Sequence, residues 1–159
     1  MALRRFLVGL DTLAPFLIGL LIIWILCQRK KLSFQEVVNQ MTLQLKAAGL
    51  SDRAAAYWVA VSRWETADFQ STLATDYNNY FGMKWAKSEG VPAVNYHGSS
   101  WANPPDLAGS VSVQLGYMGR FNYPRDFKSI EQLVSFMKAN GYFEEPEAEY
   151  LNGVKSKLQ

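Results

Sequence analysis

Glu65 is the side chain in this sequence best placed to move a proton. It follows Tyr57, Trp58, Val61 and Trp64 in a run that is strongly apolar. A carboxyl held against indole and aliphatic surface is disfavoured as an anion, so its pKa rises toward neutrality, which suits a general acid. The plainer reading is an exposed glutamate at a helix end. Further on stands Asn78-Asn79-Tyr80-Phe81-Gly82-Met83-Lys84. Two amides, aromatic rings and a glycine suit carbohydrate, whose hydroxyls bond amides and whose ring faces stack on aromatics. The plainer reading makes the asparagines turn residues and Phe81 and Met83 core.

The two features together are more specific than either alone. Glu65, Ser71 six residues later, Leu73 and then the block from Asn78 to Lys84 resemble the glucosaminidase family of peptidoglycan hydrolases. That family's pattern is a Glu, a Ser at the same spacing, and an Asn-Asn-x-Phe-Gly-(Met/Ile)-Lys block shortly after. Gly141-Tyr142, Pro146 and Tyr150 are similar to the family's closing Gly-Tyr…Tyr segment. The resemblance spans residues 32–154 and is weakest over 85–120. It implies a mainly α, lysozyme-like domain with a groove between a helical body and a small irregular or β-hairpin lobe. It also implies cleavage of the β-1,4 bond beside N-acetylglucosamine in the bacterial cell-wall glycan, with no metal and no organic cofactor. By position, Glu65 is the general acid, Asn78, Asn79 and Phe81 form the groove floor, and Tyr96 or Tyr123 matches a groove tyrosine.

Glycosidases commonly pair two carboxylates, and their separation sets the stereochemical outcome. No second one is matched by motif. Asp106 and Glu89 in the variable stretch are the leading candidates, with Asp68 and Asp76 close to the acid; each also reads as a surface residue. With Glu65 alone, two routes remain. The substrate's acetamido group assists, or the muramic 6-hydroxyl attacks within the sugar and leaves a lytic transglycosylase product. Trp85, His97 and Trp101 are groove-wall candidates that read as readily as packed residues.

These side chains need a helical scaffold, and the sequence supplies its punctuation. Ser33-Phe34-Gln35-Glu36 is a capping box, followed by Val37, Val38, Met41, Leu45 and Ala48 at helical spacing and a stop at Gly49. Ser51-Asp52 opens a second helix, apolar on most sides and therefore buried on most sides, with Glu65 near its end. Residues 66–80 read as a polar connection with a short helical turn, and 89–105 as irregular or hairpin-like. Residues 110–118 fit both periods: Val111, Val113, Leu115 and Tyr117 alternate as a strand, while Val111, Leu115 and Met118 share a helix face. A second capping box, Ser129 to Gln132, leads a helix to Gly141, and Pro146 starts a last short one.

Ahead of this domain, over residues 32–159, lies an apolar run of 22 residues, 6–27, which as a helix is about 33 Å long and matches a bilayer core. Basic residues bracket it and Trp24 stands near one boundary. The expectation is a single-pass anchor over residues 1–31 that contacts membrane lipid through residues 6–27; a cleaved signal peptide and a buried core helix are the rivals. The absence of a small-x-small site before Gln28-Arg29-Lys30-Lys31 favours the anchor. Charge on both sides leaves orientation conflicted. A wall-cutting role needs the domain to face the wall, and the internal membrane of a phage virion resolves the conflict.

Five of the 16 basic residues flank the run and one of the 14 acidic residues lies in it, so residues 32–159 carry 11 against 13. That balance lacks the basic stripe of a nucleic-acid binder. A single Cys27 and a single His97 leave no internal disulfide, no thiolate metal cluster and no accompanied zinc or triad signature. Peptidoglycan is the expected partner. The rival functions are a catalytically silent glycan-binding or structural membrane protein of a virus particle, and a membrane-bound docking protein.

Overall fold

Serine caps start the first two helices, the second of which carries Glu65. The Ser33 N–H donates to Glu36 Oε2 at 2.8 Å and the Glu36 N–H to Ser33 Oγ at 3.3 Å, which opens α1 (Phe34–Ala47). Its buried residues Val37, Met41 and Leu45 recur every fourth position, one stripe of a helix. Ser51 accepts from the Ala54 N–H at 3.1 Å and opens α2 (Asp52–Glu65). Seven α2 residues (Ala54, Ala55, Trp58, Val59, Ala60, Val61 and Ser62) are buried, which makes α2 the central element.

The structure, a computed structural model, describes residues 31–87 and 90–158. The expected span over 6–27 lies outside the described residues. Among those described, no helix is long and apolar enough to cross a membrane. Contacts divide the chain between Leu32 and Ser33.

After α2 the chain makes a turn and the short α3 (Thr72–Thr75), capped by Ser71. An antiparallel hairpin follows, β1 (Ala93–Tyr96) with β2 (Ser99–Ala102), paired from Ala93↔Ala102 to Tyr96↔Ser99. His97 (φ 49°) and Gly98 (φ 73°) form its two-residue turn, both left-handed as the twist of a tight hairpin requires. The Asn78–Lys84 block feeds straight into this lobe: the Ala102 N–H donates to the Met83 carbonyl and the Trp85 N–H to the Ser100 carbonyl, both at 3.0 Å. Then come α4 (Leu107–Arg120), α5 (Ile130–Ala139) and α6 (Glu147–Lys155). The described domain is thus mainly helical with one small hairpin. α1 packs on α2 and α4, and α6 on α2 and α5.

Residues 110–118, which fit strand and helix alike, belong to α4. The helix starts earlier, at an Asp106 N-cap whose Oδ1 accepts from the Gly109 N–H at 2.8 Å. α4 buries Leu107, Ser110, Val111, Val113, Gln114 and Met118 on more than one side, which produces the strand-like alternation. The second capping box is only half formed. Ser129 Oγ accepts from the Gln132 N–H at 3.3 Å, but Gln132 Oε1 takes the Lys128 N–H, at 2.7 Å, in place of Ser129's.

One close approach sets the geometry of the site. A Cβ at Gly153 of α6 would lie 2.4 Å from ring carbons of Trp64. Only a residue without a side chain lets α6 sit this near the end of α2.

Candidate active site

Glu65 is the last residue of α2, half-buried where α2, α6 and the Asn78–Lys84 turn converge. Burial pushes its carboxyl up to about 7; the Tyr150 hydrogen bond opposes this, and the Glu145 carboxylate adds to it. The Tyr150 hydroxyl donates to Glu65 Oε1 at 2.5 Å. Tyr150 is itself buried, with its ring stacked on Phe143 at 3.7 Å between centroids, so the phenol is rigidly aimed. Burial and the charge of Glu65 push the Tyr150 hydroxyl far above its ordinary range, so it remains a donor. The other oxygen faces Gly82: a Cβ there would stand 3.5 Å from Oε2, and the backbone is left-handed at φ 59°. Glycine therefore meets a conformational demand and leaves Oε2 uncovered by any side chain at this position.

The turn that carries Gly82 is fastened to the end of α2 and to α4. Ser62, one turn before Glu65, donates its hydroxyl to the Tyr80 carbonyl. The Tyr80 N–H donates to Ser110 Oγ at 2.9 Å. Asn79 is 1% exposed and its amide is fully engaged: Nδ2 donates to the carbonyls of Met83 (2.9 Å) and Ala102 (3.0 Å), and Oδ1 accepts from the Met83 N–H (2.8 Å). Phe81 is equally buried. The direct contact expected of Asn79 and Phe81 at a groove floor gives way to support from beneath, because neither reaches the surface. Asn78, left-handed at φ 52° and half-buried, donates Nδ2 to the Pro104 and Pro105 carbonyls at 3.3 and 3.2 Å, tying the turn to the start of α4. The Tyr142 hydroxyl lies 3.4 Å from the Phe81 carbonyl and 3.2 Å from Gln114 Oε1, beneath the same turn. Burial and the neighbouring Glu65 raise its pKa.

The remaining expected site residues separate. Tyr96 sits on β1, half-buried, with Tyr77 at 6.1 Å and His97 at 4.2 Å between ring centroids. Trp101 donates Nε1 to the Tyr96 carbonyl at 3.0 Å and carries Lys84 Nζ 3.6 Å above its ring. Exposed Trp85 donates to the Val91 carbonyl at 2.9 Å. These side chains give the hairpin lobe an aromatic surface. Tyr123 is instead 6% exposed, packed among Trp58, Tyr117 and Phe136, too deep to meet a substrate.

Among the second-carboxylate candidates, Asp106 is exposed and caps α4. Asp76 is exposed at the end of α3 and accepts from the Thr75 hydroxyl at 2.8 Å. Glu89 lies outside the described residues. Asp68 is held by Arg63 Nε at 2.8 Å and Lys157 Nζ at 2.5 Å. Burial alone would raise Asp68, but these two cations outweigh it and hold its carboxyl below its usual range. The carboxylate whose charge reaches Glu65 is Glu145, on the loop before α6, where Lys138 Nζ binds the Glu144 and Glu145 carbonyls at 2.9 and 2.8 Å. Sequence reasoning passed over Glu145, because nothing in a Glu-Glu-Pro string points across the fold. It also left Tyr150 without a role, although the closing segment singled it out and Pro146 marks the start of the helix that carries it. Among the described residues, no group of three or more His, Cys, Asp or Glu could hold a metal ion.

No family model, curated protein or solved structure matches this chain. The site therefore rests on its own geometry: a carboxyl near neutrality, one oxygen gripped by a buried phenol, the other facing a glycine.

Proposed function

We propose that this protein is a lysozyme-like peptidoglycan hydrolase that cuts β-1,4 bonds of the bacterial wall glycan, with Glu65 as general acid and N-acetylglucosaminidase as its specificity. One observation carries the reading: a carboxyl pushed to about 7, with Tyr150 on Oε1 and Gly82 opposite Oε2. Near pH 7 such a group is protonated about half the time and can still give its proton away. Glu65 donates that proton to the glycosidic oxygen as the bond to C1 breaks. The substrate's acetamido oxygen closes on C1. Water then opens that ring, losing a proton to the Glu65 carboxylate, which restores the acid. In such assistance the acetamido oxygen takes the place of a carboxylate nucleophile, in keeping with Asp106 and Asp68 being occupied elsewhere. The aromatic surface of Tyr77, Tyr96 and Trp101 suits the apolar faces of sugar rings. The segment 6–27 serves as a membrane anchor that holds the domain against the wall, as in the internal membrane of a phage virion.

A second reading has a specific observation behind it. The carboxylates expected to pair with Glu65 have other partners, Asp106 at the start of α4, Asp76 on Thr75 and Asp68 on Arg63 and Lys157, which suits a domain that holds glycan without cutting it, as a structural protein of a virus particle would. Digestion of purified wall by the full-length chain and its Glu65→Gln variant separates the two, with products identified by mass. Reducing-end N-acetylglucosamine from the parent and nothing from the variant is the expected result. Reducing-end muramic acid or 1,6-anhydro ends would change the specificity. Wall binding without cleavage by both would overturn the enzyme.

A further inference from the structure

Immediately after the acid, the backbone does something L-residues avoid. Ala67, Asp68 and Phe69 have φ of 50°, 56° and 66°, three left-handed residues in a row and none of them glycine. Non-glycine residues visit this region singly, and a run of them persists only where the surroundings over-determine it. Here the surroundings are specific. The Asp68 N–H donates to the Arg63 carbonyl at 2.7 Å, and the Ser71 N–H to the Thr66 carbonyl at 3.0 Å. Thr66 Oγ1 donates to the Ser62 carbonyl at 2.6 Å and accepts from the Phe69 N–H at 3.2 Å. The Phe69 ring is buried against Phe34 and Tyr80, with centroids at 5.5 and 5.8 Å.

The Asp68 side chain then joins two helices. Arg63 belongs to α2 and Lys157 follows α6, and Asp68 binds both, while Arg63 also donates to the Lys157 carbonyl. These are the two elements that carry Glu65 and Tyr150. We propose that Asp68 is a positioning residue for Glu65: its paired bonds to Arg63 and Lys157 hold the left-handed turn in place and clamp α6 to α2, fixing the Glu65–Tyr150 contact. The inference rests on the reading of Glu65 as the acid. Around Glu65 the titratable groups are Tyr150, Tyr142 and Glu145; around Asp68 they are Arg63 and Lys157.

The test compares Asp68→Asn and Lys157→Met in the full chain, read by kcat and KM on wall glycan and by the carboxyl titration of isotope-labelled Glu65. Asparagine keeps the size of Asp68 and tolerates the left-handed region. Both variants are expected to lower kcat about tenfold with KM unchanged, since a small displacement of a reacting group suffices for that. Both should also move the Glu65 midpoint downward, because the burial lost outweighs the Tyr150 hydrogen bond lost with it, and Lys157→Arg should restore both readouts. Acting only through its field, the loss of an anion would lower the midpoint and the loss of a cation would raise it, so shifts of opposite sign overturn the proposal. A fall in Tm with kcat and midpoint unmoved also overturns it, leaving Asp68 as ordinary structure. If Asp68→Asn does not fold, Lys157→Met and Lys157→Arg carry the same test. Should the parent prove inactive on wall while both midpoints fall together, the acid assignment fails and the clamp stands.

Discussion

Glu65 and Asp68 lie three residues apart on the inner and outer sides of one turn, and their surroundings push them in opposite directions. On the inner side, burial raises Glu65 to about 7. On the outer side, burial also pushes Asp68 up, but Arg63 and Lys157 together outweigh it and hold the carboxyl below its ordinary value. Both carboxylates accept short hydrogen bonds, so hydrogen bonding alone does not divide them. Burial divides them first, and the charge of the donor second: at Glu65 the hydrogen bond from a neutral phenol only partly offsets burial, whereas at Asp68 two cations together outweigh it.

Substitutions on either side of the turn test this contrast. The largest effect belongs to Glu65→Gln, which should lower wall cleavage by about a thousandfold or more if the inner carboxyl is the acid. Its stability should change the other way. The folded pKa of Glu65 lies above its ordinary 4.5, so the stabilisation from holding it neutral is complete below pH 4.5 and is lost as pH rises toward 7. Thermal melts should therefore match for parent and variant near pH 4.5, with the variant ahead at pH 8 by about 3 kcal/mol. Tyr150→Phe removes the neutral donor. The Glu65 midpoint should rise, since that hydrogen bond favours the anion, and the alkaline limb of the pH–rate profile should move up while kcat falls about tenfold. Gly153→Ala drives a methyl into Trp64 and should cost about 1–3 kcal/mol in denaturant titrations, with a loss of activity as α6 withdraws Tyr150. Asp106→Ala is the smallest. As a helix cap it should cost about 1 kcal/mol of stability and leave cleavage unchanged; a large loss of cleavage would restore it as the second carboxylate.

The first two helices were legible because local chemistry announces them. Ser33 with Glu36, and Ser51 before an apolar run, fix the starts of α1 and α2, and α2 ends on the acid itself. α4 was less legible because it is buried on several sides, so its apolar residues satisfy two periods at once. Glu65 could be singled out from its apolar neighbours along the helix, but Tyr150 lies 85 residues away and no spacing rule connects them. Asn79 showed its importance without its role, since an amide fully engaged by backbone reads in sequence like one offered to a sugar. The left-handed turn was invisible: at positions 67–69 no glycine marks it, and Asp68 looked like one more acidic surface residue.

The hairpin turn has a consequence for how such a protein can change over generations. His97 and Gly98 are exposed at the tip of a lobe that carries Tyr96 and Trp101, and the strands are fixed at their base by Asn79. Lengthening a surface turn costs little chain entropy, and tips of this kind accept insertions readily. Variation there can reshape what the lobe meets while α2, α6 and the turn between them stay constant. The hairpin tip is thus a part of the molecule that can drift without disturbing Glu65.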